Sequence, residues 1–296
     1  MILGLGELLW DILPDGPRLG GAPANFAVMA GRLGNRVSLL SRVGWDDLGK
    51  QALERLESLP VDASLVQIDS RYETGRVTIS FEDGQPQYTI HRPAAWDALE
   101  LTEEWVQIAS RADAVCFGSL AQRTLESRQT IQTLVAQTSP ECVRVFDVNL
   151  RKPFYTSEIV EESLELATVI KMNDAEVPLV LELLGMPIDR DSQGRDLTGT
   201  DALRLGAKRL LEEFPALTLV AVTRGEHGSL LVTRKDSHEH AGIPTTVVDT
   251  VGAGDAFTAA LTHNLLLGAD LATMDDAANR WGSWVASQSS SMPELA

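Results

Sequence analysis

Hydrophobic residues follow two rhythms along this chain, and the change between them falls near residue 101. From there on, short apolar runs alternate with amphipathic stretches. The period predicts helices over Glu103–Ile108, Leu125–Thr138, Ser157–Leu166, Ala175–Leu184 and Asp201–Phe214. It predicts strands over Ala114–Gly118, Arg144–Asn149, Thr168–Met172 and Thr218–Val222, with a polar loop at Asp189–Thr200. Alternation of this kind implies an α/β fold, with a mostly parallel sheet and helices on both faces.

The first hundred residues are less regular. Ile2–Leu13 is a nearly continuous apolar run containing Gly4 and Gly6, with Asp11 near its end. It predicts one buried strand, closed by a turn at Pro14-Asp15-Gly16-Pro17. A helix over Phe26–Leu33, ended by Gly34, leads to a strand over Val37–Val43, a helix over Leu48–Leu59 and an extended stretch near Leu65–Ile68. Gly75–His91 has a period of two: Arg76-Val77-Thr78-Ile79-Ser80-Phe81 alternates polar with apolar, and Tyr88-Thr89-Ile90-His91 follows Asp83-Gly84. That is a hairpin with one polar face. A sheet sandwiched between helices has no place for it, so an antiparallel flap over the core is expected. Its apolar face would suit a homodimer contact.

Composition narrows the choice of function. The chain has 296 residues, 44% of them hydrophobic, enough for a substantial core. It carries 25 basic and 42 acidic residues, a formal net charge of −17. That disfavours nucleic acid or an anionic membrane as partner, and an anionic substrate would need local cations or a metal. There is no secretory leader pattern and no run of about 18 apolar residues that would cross a membrane. Cys116 and Cys142 lie in apolar segments and read as free thiols in a reducing cytoplasm. The five His residues are scattered, with no Cys/His cluster at metal spacing.

The chemistry concentrates at Asp249-Thr250-Val251-Gly252-Ala253-Gly254-Asp255, just before the apolar helical run Ala256–Leu261. A loop of small residues lets backbone N–H groups approach an anion, and the helix start adds its positive end. A carboxylate there could take a proton from an alcohol as the alcohol attacks phosphorus. Taken alone, Asp255 could equally be a helix cap. Asp11, Asn149, Arg151, Asn173, Thr223 and Asp255 all fall at predicted strand ends or helix starts, where open α/β sheets bind ligands. Two other patterns mislead. Gly44–Gln51 fits Gly-x4-Gly-Lys, but Gln51 replaces the Ser or Thr that holds Mg2+, and Asp46 and Asp47 would face the phosphates. Gly4-Leu5-Gly6 lacks the third glycine of a dinucleotide fingerprint, which disfavours an NAD-dependent oxidoreductase.

Together these segments resemble the ribokinase-like, PfkB-type carbohydrate kinases. The C-terminal signature is Asp249-Thr250-x-Gly252-Ala253-Gly254-Asp255, and the N-terminal one Gly20-Gly21-Ala22-Pro23-Ala24-Asn25-Phe26-Ala27. Val43-Gly44-x-Asp46-x-x-Gly49, Asp147-x-Asn149-x-Arg151, Asn173-x-x-Glu176 and Thr223-Arg224-Gly225-Glu226-x-Gly228 match in order between them. Within the family, Gly6–Asp11, Ala22–Asn25, Tyr88–Arg92 and Ala94–Asp97 look most like fructokinases. The resemblance spans essentially the whole chain. It implies one kinase domain over 1–296: a three-layer α/β/α sandwich with a small antiparallel β lid from roughly 11–19 and 62–92.

The roles it implies are specific. ATP would phosphorylate a sugar hydroxyl, with Asp255 as base and the N–H groups of Gly252, Ala253 and Gly254 as anion hole. Asp11, Gly20, Gly21 and Asn25 would hold the sugar. Arg151 would reach either the sugar or the transferred phosphate, and Arg92 or Arg151 could serve a carboxylate-bearing sugar. Asn173 and Glu176 would position Mg2+ and phosphates through water, unless Glu176 is only a favourable helix-start charge. Thr223, Arg224, Gly225 and Gly228 would line the ATP phosphates and ribose. Asn279 would lie near adenine, or be an ordinary helix-surface Asn. Asp249 and Val251 fall where some members bind a monovalent cation such as K+, with the C-terminal Ser287–Pro293 segment as neighbour. Fructose is the expected acceptor. The alternatives are 2-keto-3-deoxygluconate, a nucleoside, or a silent sugar- or nucleotide-binding regulator on the same fold.

Overall fold

A computed structural model describes residues 1–13, 16–82, 85–186 and 199–294. The chain opens with β1 (Ile2–Leu5), every residue buried. The apolar run predicted as one strand then bends. Gly6 takes φ 144°, and β2 (Leu9–Leu13) enters a different sheet, where β3 (Gly16–Gly20) pairs back on it. Hydrophobic period cannot register a bend, whereas a glycine at positive φ permits one. Helix α1 (Ala22–Arg32) starts four residues earlier than predicted, with a proline in its first turn.

The predicted strand Val37–Val43 divides in the same way, into β4 (Val37–Leu40) and β5 (Arg42–Gly44). Helix α2 (Asp47–Glu57) is capped by Asp46, which accepts from the Gly49 N–H at 2.7 Å. β6 (Gln67–Asp69) pairs with β5, so residues 62–69 stay outside the four-stranded sheet expected to include them. The hairpin follows as β7 (Gly75–Glu82) and β8 (Gln85–Ile90), its predicted Asp83-Gly84 turn lying outside the described residues.

The regular half agrees with prediction to within a few residues: α3 (Glu103–Ala109), β9 (Ala114–Gly118), α4 (Leu125–Ala136), β10 (Val143–Asp147), α5 (Ser157–Leu166), β11 (Val169–Asn173), α6 (Glu176–Leu183), α7 (Gly199–Glu213) and β12 (Leu219–Thr223). Most of the predicted loop Asp189–Thr200 lies outside the described residues. A hairpin that the pattern did not reveal follows, β13 (Ser229–Val232) and β14 (Ser237–His240). Helices α8 (Ala253–Leu266) and α9 (Leu271–Ala286) close the chain.

The large sheet has the order β14-β13-β12-β11-β10-β9-β1-β4. Its six strands from β12 to β4 are parallel, and β13 and β14 are antiparallel. Successive residues of each strand point to opposite faces, and two cores result. Leu3, Leu5, Phe117, Phe146, Ile170 and Val222 face one core, and Ile2, Cys116, Val145, Val169 and Ala221 face the other. Helices cover both, giving an α/β/α sandwich. The small sheet has the order β3-β2-β7-β8, antiparallel except that β2 and β7 run parallel. Both cysteines are buried and free.

Candidate active site

β10, β11 and β12 end at Asp147, Asn173 and Thr223, on the carboxyl edge of the parallel sheet. Helix α8 starts beside them. Gly252 adopts a left-handed φ of 82°, and a Cβ there would fall 2.6 Å from the Ser291 side chain. Only glycine meets both demands. The Ala253 N–H already donates to Thr250 O at 3.2 Å. The Gly254 and Asp255 N–H groups belong to the first turn, where no helical carbonyl can receive them.

Asp255 accepts from Asn25 Nδ2 at 2.7 Å. Burial and the nearby Asp147 push the Asp255 carboxyl up to about 6, against the opposing effects of Lys171, Asn25 and Arg151. Asn25 sits in the first turns of α1, 3% exposed, and its Oδ1 has no partner among the described residues. Gly20 and Gly21 precede it. A Cβ on Gly20 would lie 2.7 Å from Asp11 Oδ2, and one on Gly21 would strike the Glu7 carbonyl, so both glycines let the chain before α1 pass close to the Glu7–Asp11 segment. Burial also lifts Asp11 to about 6, with Arg151 and Arg18 pulling down and Asp249 pushing up. Arg151 is exposed, and its charge acts on Asp11 and Asp255 alike. Arg92 stands apart: it is exposed, with its guanidinium 5.9 Å from the Phe154 ring centre.

Three charged groups here had received no role from the sequence. Lys171, only 7% exposed, reaches Asp147 Oδ1 at 3.1 Å and Oδ2 at 3.3 Å. Thr258 Oγ1 donates to the same carboxylate at 2.9 Å. A Cβ on Gly254 would come within 2.8 Å of Lys171 Nζ, so the ammonium lies directly under the glycine loop. Burial opposes its charge, but Asp147, Asp255 and Glu176 outweigh burial and raise its pKa. The third is Glu7, at the bend after β1. Burial first, and Asp255 as well, push it up to about 7, and its Oε2 has no partner among the described residues. A lone charge within each apolar stretch, Val-Ile-Lys-Met, Val-Phe-Asp-Val and Leu-Gly-Glu-Leu, was the available signal.

The remaining predicted residues line the same edge. Asn173 and Glu176 cap α6 reciprocally: Glu176 N–H donates to Asn173 Oδ1 and Asn173 N–H to Glu176 Oε2, each at 2.8 Å. Glu176 Oε1 accepts from Leu150 N–H at 2.8 Å. Thr223 Oγ1 donates to Met172 O at 3.4 Å. Arg224 is a brace, donating to Thr200 Oγ1 at 2.8 Å, Glu239 at 2.6 Å and His240 O at 2.9 Å. Gly225 and Gly228 have φ of 56° and 79° around a single 3-10 turn. Asn279 is buried, with Nδ2 donating to Ser229 Oγ at 2.6 Å and to Asp275 O at 2.8 Å. Asp275 also accepts from Ser229 Oγ and lies 2.9 Å from His238 Nδ1, so α9 is fastened to the unpredicted hairpin there. A separate cavity of about 540 Å³, lined by Glu161, Glu165, Glu213 and Phe214, includes none of these residues and is too acidic for a nucleotide.

A glycine-cradled helix start, with a carboxylate held off the edge of a parallel sheet, defines an α/β phosphotransferase of the ribokinase-like fold. The chain belongs to the pfkB family of carbohydrate kinases, whose model matches residues 17–295, and is an ATP-dependent sugar kinase. It is 30% identical to an uncharacterized sugar kinase of Pyrococcus horikoshii, over 94% of this chain and 87% of that protein. It is 29% identical to the fructokinase of Escherichia coli, over 88% and 83%. Among solved structures, the Pyrococcus kinase in complex with ATP superposes with a TM-score of 0.80 at 27% identity, covering 99% of this chain and 94% of the other. The fructokinase of Vibrio cholerae, bound to fructose, ADP and calcium, gives 0.78 at 25%, covering 98% and 94%.

Proposed function

We propose that the protein is a fructokinase, transferring the γ-phosphoryl group of Mg-ATP to the primary hydroxyl of fructose to yield fructose 6-phosphate. The observation that carries this reading is the Asp255 carboxylate, raised to about 6, held by Asn25 at 2.7 Å beside the Gly252–Gly254 loop. A general base works best with a pKa near the operating pH. Asp255 takes the proton of the hydroxyl, the new O–P bond forms, the bond to the β-phosphate oxygen breaks, and ADP leaves. The N–H groups of Gly254 and Asp255 and the Lys171 ammonium beneath Gly254 stabilise charge on the transferred group, whereas the Ala253 N–H is already held by Thr250 O. Asp11 and the unpartnered Asn25 Oδ1 accept from sugar hydroxyls. Mg2+ would neutralise the ATP phosphates. Both Glu176 oxygens already accept backbone N–H groups, so Asn173 and Glu176 suit it only through intervening water.

Residues 1–296 would act as one kinase domain, the small sheet closing over the sugar as a lid that excludes water. Its outer face would pair two copies. Two buried, unpaired thiols suit the cytoplasm. Among the described residues, no helix is long and apolar enough to cross a membrane. One observation favours a second acceptor. The Arg151 charge acts on both Asp11 and Asp255, where it could bind the carboxylate of 2-keto-3-deoxygluconate. ADP release from Mg-ATP with fructose, ribose, glucose, 2-keto-3-deoxygluconate and adenosine separates these readings. Fructose well above the rest is the expected result. Preference for the keto acid would transfer the sugar site to Arg151. ATP binding without ADP release for any acceptor would point to a silent regulator.

A further inference from the structure

The family resemblance assigns Asp249 and Val251 to a monovalent-cation site, and the residues present do not fit one. Four oxygens around this segment already face N–H donors. Asp249 Oδ1 accepts from the Val251 N–H at 3.0 Å. Asp249 Oδ2 faces Arg18 Nη1 at 3.4 Å. The Ser289 carbonyl accepts from the same Nη1 at 2.8 Å. The Ala286 carbonyl accepts from the N–H groups of Val248, at 2.9 Å, and Asp249, at 3.3 Å. The Arg18 guanidinium engages Asp249 Oδ2 and the Ser289 carbonyl, and its positive charge repels a second cation.

We propose that Arg18 is a built-in replacement for the monovalent cation. Its guanidinium joins the two segments that flank the glycine loop. Asp249 lies three residues before Gly252, and Ser289 lies two residues before Ser291, the residue packed against the Gly252 α-carbon. Arg18 therefore braces the loop whose shape sets the anion hole. It is carried on β3 of the small sheet, opposite Asp11 in the strand register. Its charge also acts on Asp11, the residue proposed to hold sugar. One side chain thus links the small sheet, the sugar carboxylate and the phosphoryl loop. Arg18 is a positioning residue in this scheme, because it touches none of the reacting atoms.

This inference rests on the kinase reading for its catalytic consequence, but the brace itself is tested without turnover. Thermal unfolding of the wild type and of Arg18→Ala is measured in tetramethylammonium chloride and in KCl at equal ionic strength. The wild type should melt at the same temperature in both salts. Arg18→Ala should melt lower, and K+ should restore about 2–4 °C of the loss as it enters the vacated site. The guanidinium ion at low millimolar concentration should do the same. With an active acceptor, Arg18→Ala should lose about 10- to 100-fold in kcat and recover part of it with K+, while wild-type kcat ignores K+. Arg18→Gln is the variant to use if Arg18→Ala does not fold. Stabilisation of the wild type by K+, or variants indifferent to both ions, would overturn the proposal. Cation responses with no ADP release from any acceptor would leave the brace standing and remove the kinase chemistry.

Discussion

Two sets of partly or fully buried carboxylates in this molecule have opposite electrostatics. Around the glycine loop, Glu7, Asp11 and Asp255 are pushed up to about 7, 6 and 6. Beside α2 and β6, Asp46 and Asp69 are held below the ordinary carboxylate value. Burial acts upward in both places, and Asp69 is fully buried. The difference is the supply of donors. Asp46 accepts from the N–H groups of Gly49 and Thr74 and from the Thr74 hydroxyl, each at 2.7 Å. Asp69 accepts from the Arg71 and Tyr72 backbone and pairs with Arg42 at 2.9 Å. Among the described residues, Asp255 has a single side-chain donor, Asn25, and Glu7 has backbone donors at Glu7 and Ala22 but no partner at Oε2. Saturated carboxylates hold structure together. An undersaturated one, close to neutral pH in its titration, is available for proton transfer.

The largest effect should come from Asp255→Asn. We expect kcat to fall by about 10³-fold or more, with ATP affinity by calorimetry within a few-fold of wild type. Unchanged turnover would place the base elsewhere and dissolve the contrast. Asp46→Ala should do the reverse. It strands the Gly49 and Thr74 donors and should cost about 2 kcal/mol of stability in urea unfolding, with kcat unchanged.

The smallest effect sharpens the contrast through pH. Glu7 has a folded pKa of about 7 against an ordinary 4.5, so the folded protein keeps a proton that the unfolded chain has released. Its contribution to stability is complete below about 4.5 and is lost as pH rises through 7. Asp46 has the opposite sign, stabilising above its ordinary 3.8 and losing that contribution as pH falls. Glu7→Gln should therefore gain melting temperature relative to wild type at pH 8 but not at pH 4. The acid limb of the wild-type kcat/KM profile should fall below a pH of about 6, and Glu7→Gln should leave it there, because Glu7 still holds its proton where Asp255 titrates. A limb that moved lower in Glu7→Gln would show that Glu7 is already charged when Asp255 titrates.

Much of this was legible in the sequence because it is local. The β/α alternation after residue 101, the polar–apolar hairpin at Gly75–His91 and the small-residue helix start at Gly252–Asp255 are all properties of neighbouring residues. Period and side-chain size report those directly. Other features depended on where distant segments meet. The run Ile2–Leu13 looked like one strand because both halves are buried, yet they lie in different sheets. β13 and β14 escaped notice because four-residue strands are too short to display a period. Asn25 meets Asp255 across 230 positions, and Arg18 meets Asp249 across 231. Lys171 comes under Gly254 only because β11 ends where α8 begins. The sequence by itself determined the layers, the family and the segment that carries Asp255. Tertiary structure alone decided which charges surround Asp255, because a carboxylate's pKa depends on the donors and charges within a few ångströms, and folding brings those from the far end of the chain.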